Sequence, residues 1–350
     1  MFNGSRRFLQ IGRFNKNMNQ DQTDIIKNTL GPLRVRENES LSKHTYFKIG
    51  GPARLFFAAR SIEDLKLVLE TAHQYQIPYV VLGGGANVLV SDRGFDGLII
   101  QNMVSGVKLV GVKGTIGKTG RGIKNALVWT ASGTPMNQLA RFTIDQGLQG
   151  LEFLLSVPGT VGGGIKINAH FEVERGEFLG DRLVSAALFD PQNGQIKTVQ
   201  NNYFGFAYDQ SKIQETGEIV LEAIFKLDKG ASLESLWQKA MDNVKRRNRE
   251  QPIGVACSGC TFRNISHDDA MRLATPNLTT STGYIIQSLG LKGVKISGAQ
   301  ISDHHANFII NNGEATATDV LKLINLVKDK AKEVYGLDLK EEIFYIGDFG

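Results

Sequence analysis

The sequence contains little cysteine and no long apolar stretch. Only two cysteines, Cys257 and Cys260, occur in 350 residues, which excludes a disulfide-stapled scaffold and indicates a reducing compartment. No apolar run reaches the roughly 18 residues that a membrane-spanning helix needs. We therefore expect a cytoplasmic protein without membrane insertion.

The sequence also lacks a large excess of charge of one sign. It has 40 Lys and Arg against 35 Asp and Glu, a net charge of +5. Aromatic and basic residues are not interleaved in the manner of single-strand binding proteins. The basic residues cluster in two places, which fits a small anionic ligand better than nucleic acid. We expect no nucleic-acid partner, and a monomer.

Glycine is abundant, and its placement indicates the fold class. The 39 glycines fall largely in short clusters between apolar runs, a pattern typical of an α+β chain with many tight turns. The length suits two or three domains. Residues 1–35 show no clear hydrophobic period. The first twenty of them contain Arg6, Arg7, Arg13 and Lys16 and no acidic residue. This start superficially resembles a transit peptide, but we interpret it as a disordered or loosely docked extension.

The first glycine cluster lies in YVVLGGGANVLVSD, residues 79–92. A strand at residues 54–58, a helix capped by Ser61 and a strand at residues 79–82 form a strand–helix–strand unit that ends at this cluster. Open α/β sheets bind ligands at such carboxyl ends. The cluster is not the dinucleotide fingerprint, because Val88 stands where a glycine is needed. A plain hairpin turn and an anion-binding nest both remain open.

Two further stretches offer groups for an anion. Residues 158–164, PGTVGGG, supply a second set of bare backbone donors. A helix that starts at Ser232, after a boundary near residues 229–230, ends in Lys245, Arg246, Arg247 and Arg249. Those cations either complement the negative end of the helix dipole or clamp a diphosphate, and both can hold.

The C-terminal region carries the candidate acids. Cys257 and Cys260 form C-x-x-C, but neither a second Cys pair nor a suitably spaced His pair exists, so we expect no metal site. The two thiols are either small buried groups, or one of them donates a proton. After a helix capped by Thr318, Glu341 and Glu342 lie on a predicted strand, where alternation turns one carboxylate inward and the other to solvent. An inward Glu342 would need a partner or a task.

Several motifs in order then identify a family. They are HTYFKIGGPA, LGGGANVLVSD, GLEFLLSVPGTVGG, GCTFRN, GLKG with GAQISDHHANFIIN, GEATATDVLKLI and LKEEIFYIG. The chain resembles the UDP-N-acetylenolpyruvoylglucosamine reductases, flavoproteins of peptidoglycan synthesis, over residues 41–347. The missing third segment of the family's long form places it with the shorter subclass.

The resemblance implies an α+β fold in which a two-part FAD-binding unit of the vanillyl-alcohol-oxidase (PCMH) type joins a smaller α/β substrate-binding domain. We expect an N-terminal extension at 1–38, the FAD-binding domain at 39–228 with parts at 39–104 and 105–228, the substrate-binding domain at 229–310, and a C-terminal helix and strand at 311–350 that return toward the catalytic site.

The resemblance also implies cofactors and roles. NADPH would reduce bound FAD, a hydride would pass to C3 of the enolpyruvyl ether, and C2 would then be protonated. Cys260 matches the family's acid and Glu342 its polarising carboxyl. The substrate-binding candidates are Tyr208, Arg263, Asn264 and Arg247. The residues implied for FAD are Gly83, Gly84, Gly85, Asn87, Gly159, Thr160, Gly162 and Gly163.

One departure bears on activity. The family has an arginine after the tyrosine of its F-x-Y-R-x-S motif, whereas FAYDQS places Asp209 there. We hypothesise that Lys166, on the strand expected after the second glycine cluster, or Lys212 supplies the missing charge. Two alternatives stay open: a flavin- or UDP-sugar-binding protein with impaired turnover, and another flavin oxidoreductase on the same fold.

Overall fold

The computed structural model describes residues 7–9, 18–117, 120–171, 176–230 and 232–350. Within these ranges the strands form four sheets. The first part of the chain contains α1 (Gln20–Leu30), β1 (Val35–Ser40), β2 (Pro52–Ala59), α2 (Ile62–Gln74), β3 (Tyr79–Leu82), β4 (Val88–Val90) and β5 (Phe95–Asn102).

The first sheet has the strand order β1-β2-β5-β3. The predicted strand–helix–strand unit exists as β2, α2 and β3, and Ser61 caps α2 by accepting a hydrogen bond from the Asp64 N–H. The two strands of this unit are not neighbours, because β5 lies between them and pairs parallel with both. The first glycine cluster follows β3 directly.

The expectation of a loosely docked extension is wrong for residues 20–35. Asn19 and Gln22 form a capping box at the start of α1, which buries Thr23, Ile26 and Leu30. Strand β1 pairs antiparallel with β2. An amphipathic helix and an edge strand therefore complete the first sheet. Arg6, Arg13 and Lys16 lie outside the described residues.

The second part contains β6 (Val107–Gly117), β7 (Gly120–Ala131), α3 (Met136–Asp145), β8 (Leu148–Gln149), α4 (Val161–Ile167), β9 (Leu183–Phe189), β10 (Ile196–Gln200), α5 (Ile213–Thr216) and β11 (Ile219–Lys229). Its sheet has the order β10-β9-β11-β7-β6, and β8 pairs with β11. Helix α3 buries Leu139, Ala140 and Ile144.

The strand expected to carry Lys166 is instead the helix α4. Its backbone closes a helical turn from the Gly164 N–H to the Thr160 carbonyl at 2.8 Å. The helix ends at Asn168, whose φ of 50° lies in the left-handed region. Asparagine adopts this conformation more readily than most residues, so it ends the helix without a glycine.

The third part contains α6 (Leu233–Glu250), β12 (Ala256–Cys260), α7 (His267–Arg272), α8 (Thr282–Ser288), β13 (Lys295–Ile296), β14 (Ala299–Ile301), β15 (Phe308–Asn311), α9 (Ala317–Tyr335) and β16 (Phe344–Ile346). Its sheet has the order β12-β15-β14-β13. Helix α9 packs against this sheet, in a core that includes Ile301, Val320 and Ile324.

The chain returns to its first part at the C-terminus. Strand β16 pairs parallel with β4, with Phe344 opposite Val88. The helix before it is capped by Thr316 and Asp319 rather than by the expected Thr318. The Thr318 hydroxyl instead donates to Asp92, which also accepts from the Ala317 N–H at 2.7 Å. Asp92, the last residue of the stretch that contains the first glycine cluster, therefore forms hydrogen bonds with the start of α9.

Helix α6 begins as expected, since the Ser232 hydroxyl accepts from the Ser235 N–H. Its buried residues Leu236 and Ala240 pack with Ile144 of α3. The helix therefore starts after the second part has ended, near residue 230, and it still packs against that part. No helix in the described part of the chain has the length and apolar character needed to cross a membrane.

Candidate functional site

The two glycine clusters face each other across the junction of the first and second parts. A side chain at Gly83 would overlap the Thr160 hydroxyl, and a Cβ at Gly84 would lie 3.1 Å from the Gly159 Cα. Gly85 has a φ of 68° and lies against the His44 carbonyl. Only glycine allows the two backbones to approach this closely, so the clusters form two walls of one cradle.

A cavity of about 330 Å³ opens at this junction. Its lining includes Gly83, Thr160, Gly162, Gly163 and Lys166. Tyr79 also lines it, and its buried hydroxyl has no hydrogen-bond partner among the described residues. A glycine cradle with an unsatisfied donor fits an anionic, hydrogen-bonding cofactor such as a dinucleotide. No group of three or more His, Cys, Asp or Glu suited to a metal ion occurs in the described ranges.

Asp209 is the centre of a charged cluster beside this cradle. Its side chain is 1% exposed and its φ is 49°. Both Arg7 and Arg263 lie 2.6 Å from its Oδ2 atom. Burial raises the pKa of Asp209 and the two guanidinium groups oppose that rise. Its Oδ1 atom has no hydrogen-bond partner among the described residues.

Glu342 lies next to the charged cluster. Its carbonyl oxygen accepts from Arg7 at 2.8 Å and from the Asn87 amide at 3.4 Å. Burial and the nearby Asp209 raise the pKa of the half-buried Glu342 to about 8. Desolvation penalises the charged form, so this carboxyl is neutral at pH 7 and can donate a hydrogen bond.

The expectation that one of the two adjacent carboxylates faces solvent is wrong. Glu341 is 5% exposed and pairs with Lys328 at 2.9 Å. The regular strand starts only at Phe344, so strict strand alternation does not apply at these positions. Glu341 has an ion partner and Glu342 keeps its proton.

Cys260 is brought close to Glu342 by the pairing of two backbone segments. The Glu342 N–H donates to the Thr261 carbonyl at 2.8 Å. Burial raises the pKa of the Cys260 thiol, the neighbouring Glu342 carboxyl raises it further, and Arg247 opposes both. Burial likewise raises the pKa of Cys257, and both thiols are free. Cys260 therefore keeps a proton to donate at neutral pH.

The substrate-binding candidates surround this pair. The Asn264 N–H donates to the Tyr208 hydroxyl at 3.3 Å. Burial raises the pKa of Tyr208, with Glu342 adding to the rise. Arg247, near the end of α6, interacts electrostatically with the Cys260 thiol. The structure therefore brings Tyr208, Arg247, Arg263 and Asn264 together around Cys260 and Glu342.

The two lysines proposed for the missing charge have different positions. Lys212 lies over the Tyr203 ring, 4.3 Å from its centroid, so its ammonium contacts that ring rather than the charged cluster around Asp209. Lys166 donates to the Ile213 carbonyl at 3.5 Å, and burial together with Arg7 lowers its pKa to about 8. It lies near the cluster without contacting Asp209.

Arg7 is the functional candidate that the sequence reasoning missed. It comes from the segment expected to be loosely docked, and it contacts both Asp209 and Glu342. The acid-free basic run at the start of the chain was a signal for anion binding there. Nothing in that run distinguishes Arg7 from its neighbours, since the contact depends on how the chain returns.

Comparison with known proteins identifies relatives over most of the chain. Residues 251–346 match the family model described as UDP-N-acetylenolpyruvoylglucosamine reductase, C-terminal domain, and residues 53–200 match the model of an FAD binding domain. The chain is similar to the UDP-N-acetylenolpyruvoylglucosamine reductase of Chlamydia abortus, with 32% identity over 89% of this chain and 94% of that one. It is 36% identical to that of Halalkalibacterium halodurans, over 90% and 95% of the two chains.

A solved structure supports the same likeness. The crystal structure of UDP-N-acetylenolpyruvylglucosamine reductase from Thermus caldophilus aligns with a TM-score of 0.68 and 30% identity, covering 89% of this chain and all of that one. Together with the FAD-domain match, this confirms the expected α+β fold with an FAD-binding unit.

Proposed function

Because the chain belongs to the UDP-N-acetylenolpyruvoylglucosamine reductase family, we propose that it reduces the enolpyruvyl ether of UDP-N-acetylglucosamine to UDP-N-acetylmuramate. The enzyme is an FAD-containing, NADPH-dependent oxidoreductase, and its product is a precursor of peptidoglycan. When bound, FAD supplies the hydride that NADPH provides and that C3 of the enolpyruvyl group receives.

The glycine cradle is the proposed cofactor site. Backbone N–H groups of Gly83, Gly84 and Gly85, with the Asn87 side chain, would hold the pyrophosphate from the first part of the chain. The second wall would be supplied by Gly159, Thr160, Gly162 and Gly163. The close approach of Gly84 to Gly159 supports one ligand bound by both walls.

Cys260 and Glu342 are the proposed catalytic residues. Addition of a hydride to C3 leaves an enolate whose C2 takes a proton, and the Cys260 thiol provides it. The neutral Glu342 donates a hydrogen bond to the substrate carboxylate, where negative charge grows as the enolate forms. A well-aimed donor at such a position is worth about 3 kcal/mol in the transition state.

The basic groups have separate proposed roles. Arg263 binds the enolpyruvyl carboxylate, with Tyr208 and Asn264 beside it. Arg247, from the basic end of α6, binds the diphosphate. Lys166 adds positive charge near the cradle, as the hypothesis about Asp209 requires, while Lys212 has no role in this proposal.

The observation that carries the proposal is that the Cys260 and Glu342 segments meet beside the cradle, where the Glu342 N–H donates to the Thr261 carbonyl at 2.8 Å. The test is to purify the protein and record its visible spectrum. We expect a flavin spectrum that NADPH bleaches and that returns only when the enolpyruvyl substrate is added without oxygen. A colourless protein, or one that the substrate does not recolour, would refute the proposal.

A protein that binds flavin and UDP-sugar without turnover is the second candidate. The buried Asp209, in place of an arginine, favours it, because a carboxylate opposes the binding of an anionic substrate. Bleaching by NADPH without recolouring by substrate would support this candidate. A different oxidoreductase on the same fold would bleach and recolour with another acceptor.

The assembly and location are also proposals. We propose that the protein acts as a monomer in the cytoplasm, where its two free thiols stay reduced. Size-exclusion chromatography with light scattering should give a mass near the 38.4 kDa of one chain. A mass of two chains or more would contradict the monomer.

A further inference from the structure

Residues 7–9 pair with β16 through an isolated β-bridge, next to the catalytic region. The Leu9 N–H donates to the Tyr345 carbonyl at 3.1 Å, and the Tyr345 N–H donates to the Arg7 carbonyl at 3.0 Å. Phe8 and Tyr345 form a parallel bridge, with ring centroids 5.8 Å apart. Because β16 starts two residues after Glu342, this pairing brings Arg7 to the site.

The Arg7 guanidinium is inserted between three parts of the site. Its Nη1 donates to the Asp209 carboxylate at 2.6 Å and to the Glu342 carbonyl at 2.8 Å. Its Nη2 donates to the Asp209 carbonyl at 3.3 Å and to the Gln214 side chain. It also lies 4.3 Å above the centre of the Phe344 ring. The side chain is 15% exposed, so this is a buried arrangement rather than a surface ion pair.

The charges of Arg7, Asp209 and Arg263 show how Arg7 affects the charge that Arg263 can offer to a ligand. Asp209 carries at most one negative charge and contacts two guanidinium groups, so the trio has a net charge of about +1 when all three are ionised. Arg263 binds Asp209 through Nε and Nη2. Its Nη1 makes no hydrogen bond within the described residues, and its side chain is 25% exposed. Arg263 therefore has an available donor, and its charge stays uncompensated only while Arg7 balances Asp209.

We propose that Arg7 is a positioning residue of the reductase site, which neutralises Asp209 so that Arg263 binds the substrate carboxylate. Residues 7–9 thereby complete the site, and the unusual Asp209 anchors two arginines. This inference rests on the proposed function for the identity of the substrate carboxylate.

The first experiment measures binding and therefore does not depend on turnover. UDP-N-acetylmuramate carries the carboxylate, and UDP-N-acetylglucosamine lacks it. For Arg7→Gln we expect the Kd of UDP-N-acetylmuramate to rise about tenfold, the effect of removing one charged hydrogen-bond partner. The Kd of UDP-N-acetylglucosamine should change less than twofold. The control Arg93→Gln, which breaks an exposed pair with Asp348, should change neither value.

The second experiment separates charge balance from direct contact. In Arg7→Gln/Asp209→Asn the trio again has a net charge of about +1, now from Arg263 alone. We expect this double variant to regain most of the lost affinity for UDP-N-acetylmuramate. We expect Arg7→Lys, which keeps the charge, to lie between the wild type and Arg7→Gln.

Three binding results would overturn the proposal. They are an unchanged Kd in Arg7→Gln, equal loss of affinity for both nucleotides, and no recovery in the double variant. Flavin content and unfolding temperature are measured on each variant, and an affinity loss fully matched by flavin loss would also overturn it. Failure of the wild type to recolour with substrate would instead refute the proposed function, while the binding comparison would still decide the role of Arg7.

Discussion

The Cys260→Ala substitution removes the proposed proton donor and leaves the cradle intact. The half-buried thiol lies beside a carboxyl, and its desolvation together with that carboxyl raises its pKa above the ordinary value. It is therefore almost entirely protonated at pH 7, and the variant loses a group that the wild type has fully available. A positioned general acid accelerates its step by about 10²–10⁴-fold, which corresponds to about 3–5 kcal/mol in the barrier.

The assay follows the flavin in two separate half-reactions. NADPH should bleach Cys260→Ala at the wild-type rate, because Cys260 acts only on the substrate. Recolouring by the enolpyruvyl substrate should slow by about 10²–10⁴-fold. Cys260→Ser keeps a hydroxyl donor and should recolour within about tenfold of the wild type.

Cys257→Ala is the matched control, since it removes a thiol three positions away. It should leave both half-reactions unchanged. Recolouring of Cys260→Ala within a few fold of the wild type would refute the assignment of Cys260 as the acid. Oxidation to a Cys257–Cys260 disulfide, verified by mass, should block recolouring in the same way, and full activity of that form would count against it.

Further predictions concern the carboxyl, the cradle and the lysines. Because the pKa of Glu342 is raised to about 8, the rate of recolouring should fall above about pH 8, and Glu342→Gln should remove that pH dependence. A wild-type rate that stays constant up to about pH 9 would contradict the role of Glu342 as a neutral acid. In the folded protein Glu342 keeps a proton that it loses above about pH 4.5 in the unfolded chain, so this residue destabilises the fold increasingly as the pH rises toward 8. By calorimetry, the unfolding temperature of Glu342→Gln should therefore exceed that of the wild type by more at about pH 8 than at about pH 5. Gly83→Ala should weaken flavin retention and cost about 1–3 kcal/mol of unfolding free energy by overpacking, while Gly106→Ala, whose Cβ would meet Trp129 at an ordinary 3.4 Å, should keep its flavin. Lys166→Met should slow turnover and Lys212→Met should not. Turnover at the wild-type rate in both variants would show that Lys166 has no role in the site.

Local patterns were sufficient for elements whose signals lie within a few residues. Ser61 and Ser232 cap the helices that they were expected to start, and Gly336 ends α9 with a φ of 66°. Helix caps and left-handed helix ends depend on nearby backbone groups, so they can be predicted from the local sequence. The choice of Thr318 over Thr316 failed because Asp92, distant in the chain, binds the Thr318 hydroxyl.

Patterns that span several residues were less reliable where glycine dominates. Residues 161–167 contain three glycines and two isoleucines, a composition that favours strand or turn over helix. They form α4 because the Val161 and Gly162 N–H groups bind the carbonyls of Thr134 and Ser132, which fixes the start of the helix from outside. Tertiary contacts override weak propensity in this segment.

The sequence by itself determined the fold class, the family, both glycine clusters and the chemical groups Cys260, Glu342 and Arg263, because each belongs to a local motif with its own chemistry. Only the tertiary structure decided the charge state of Glu342, the partner of Glu341 and the position of Arg7. These properties depend on burial and on contacts that no motif contains, from Lys328 with Glu341, 13 positions apart, to Arg7 with Asp209, 202 positions apart. Desolvation and charge pairing act through space, so no local pattern could have predicted them.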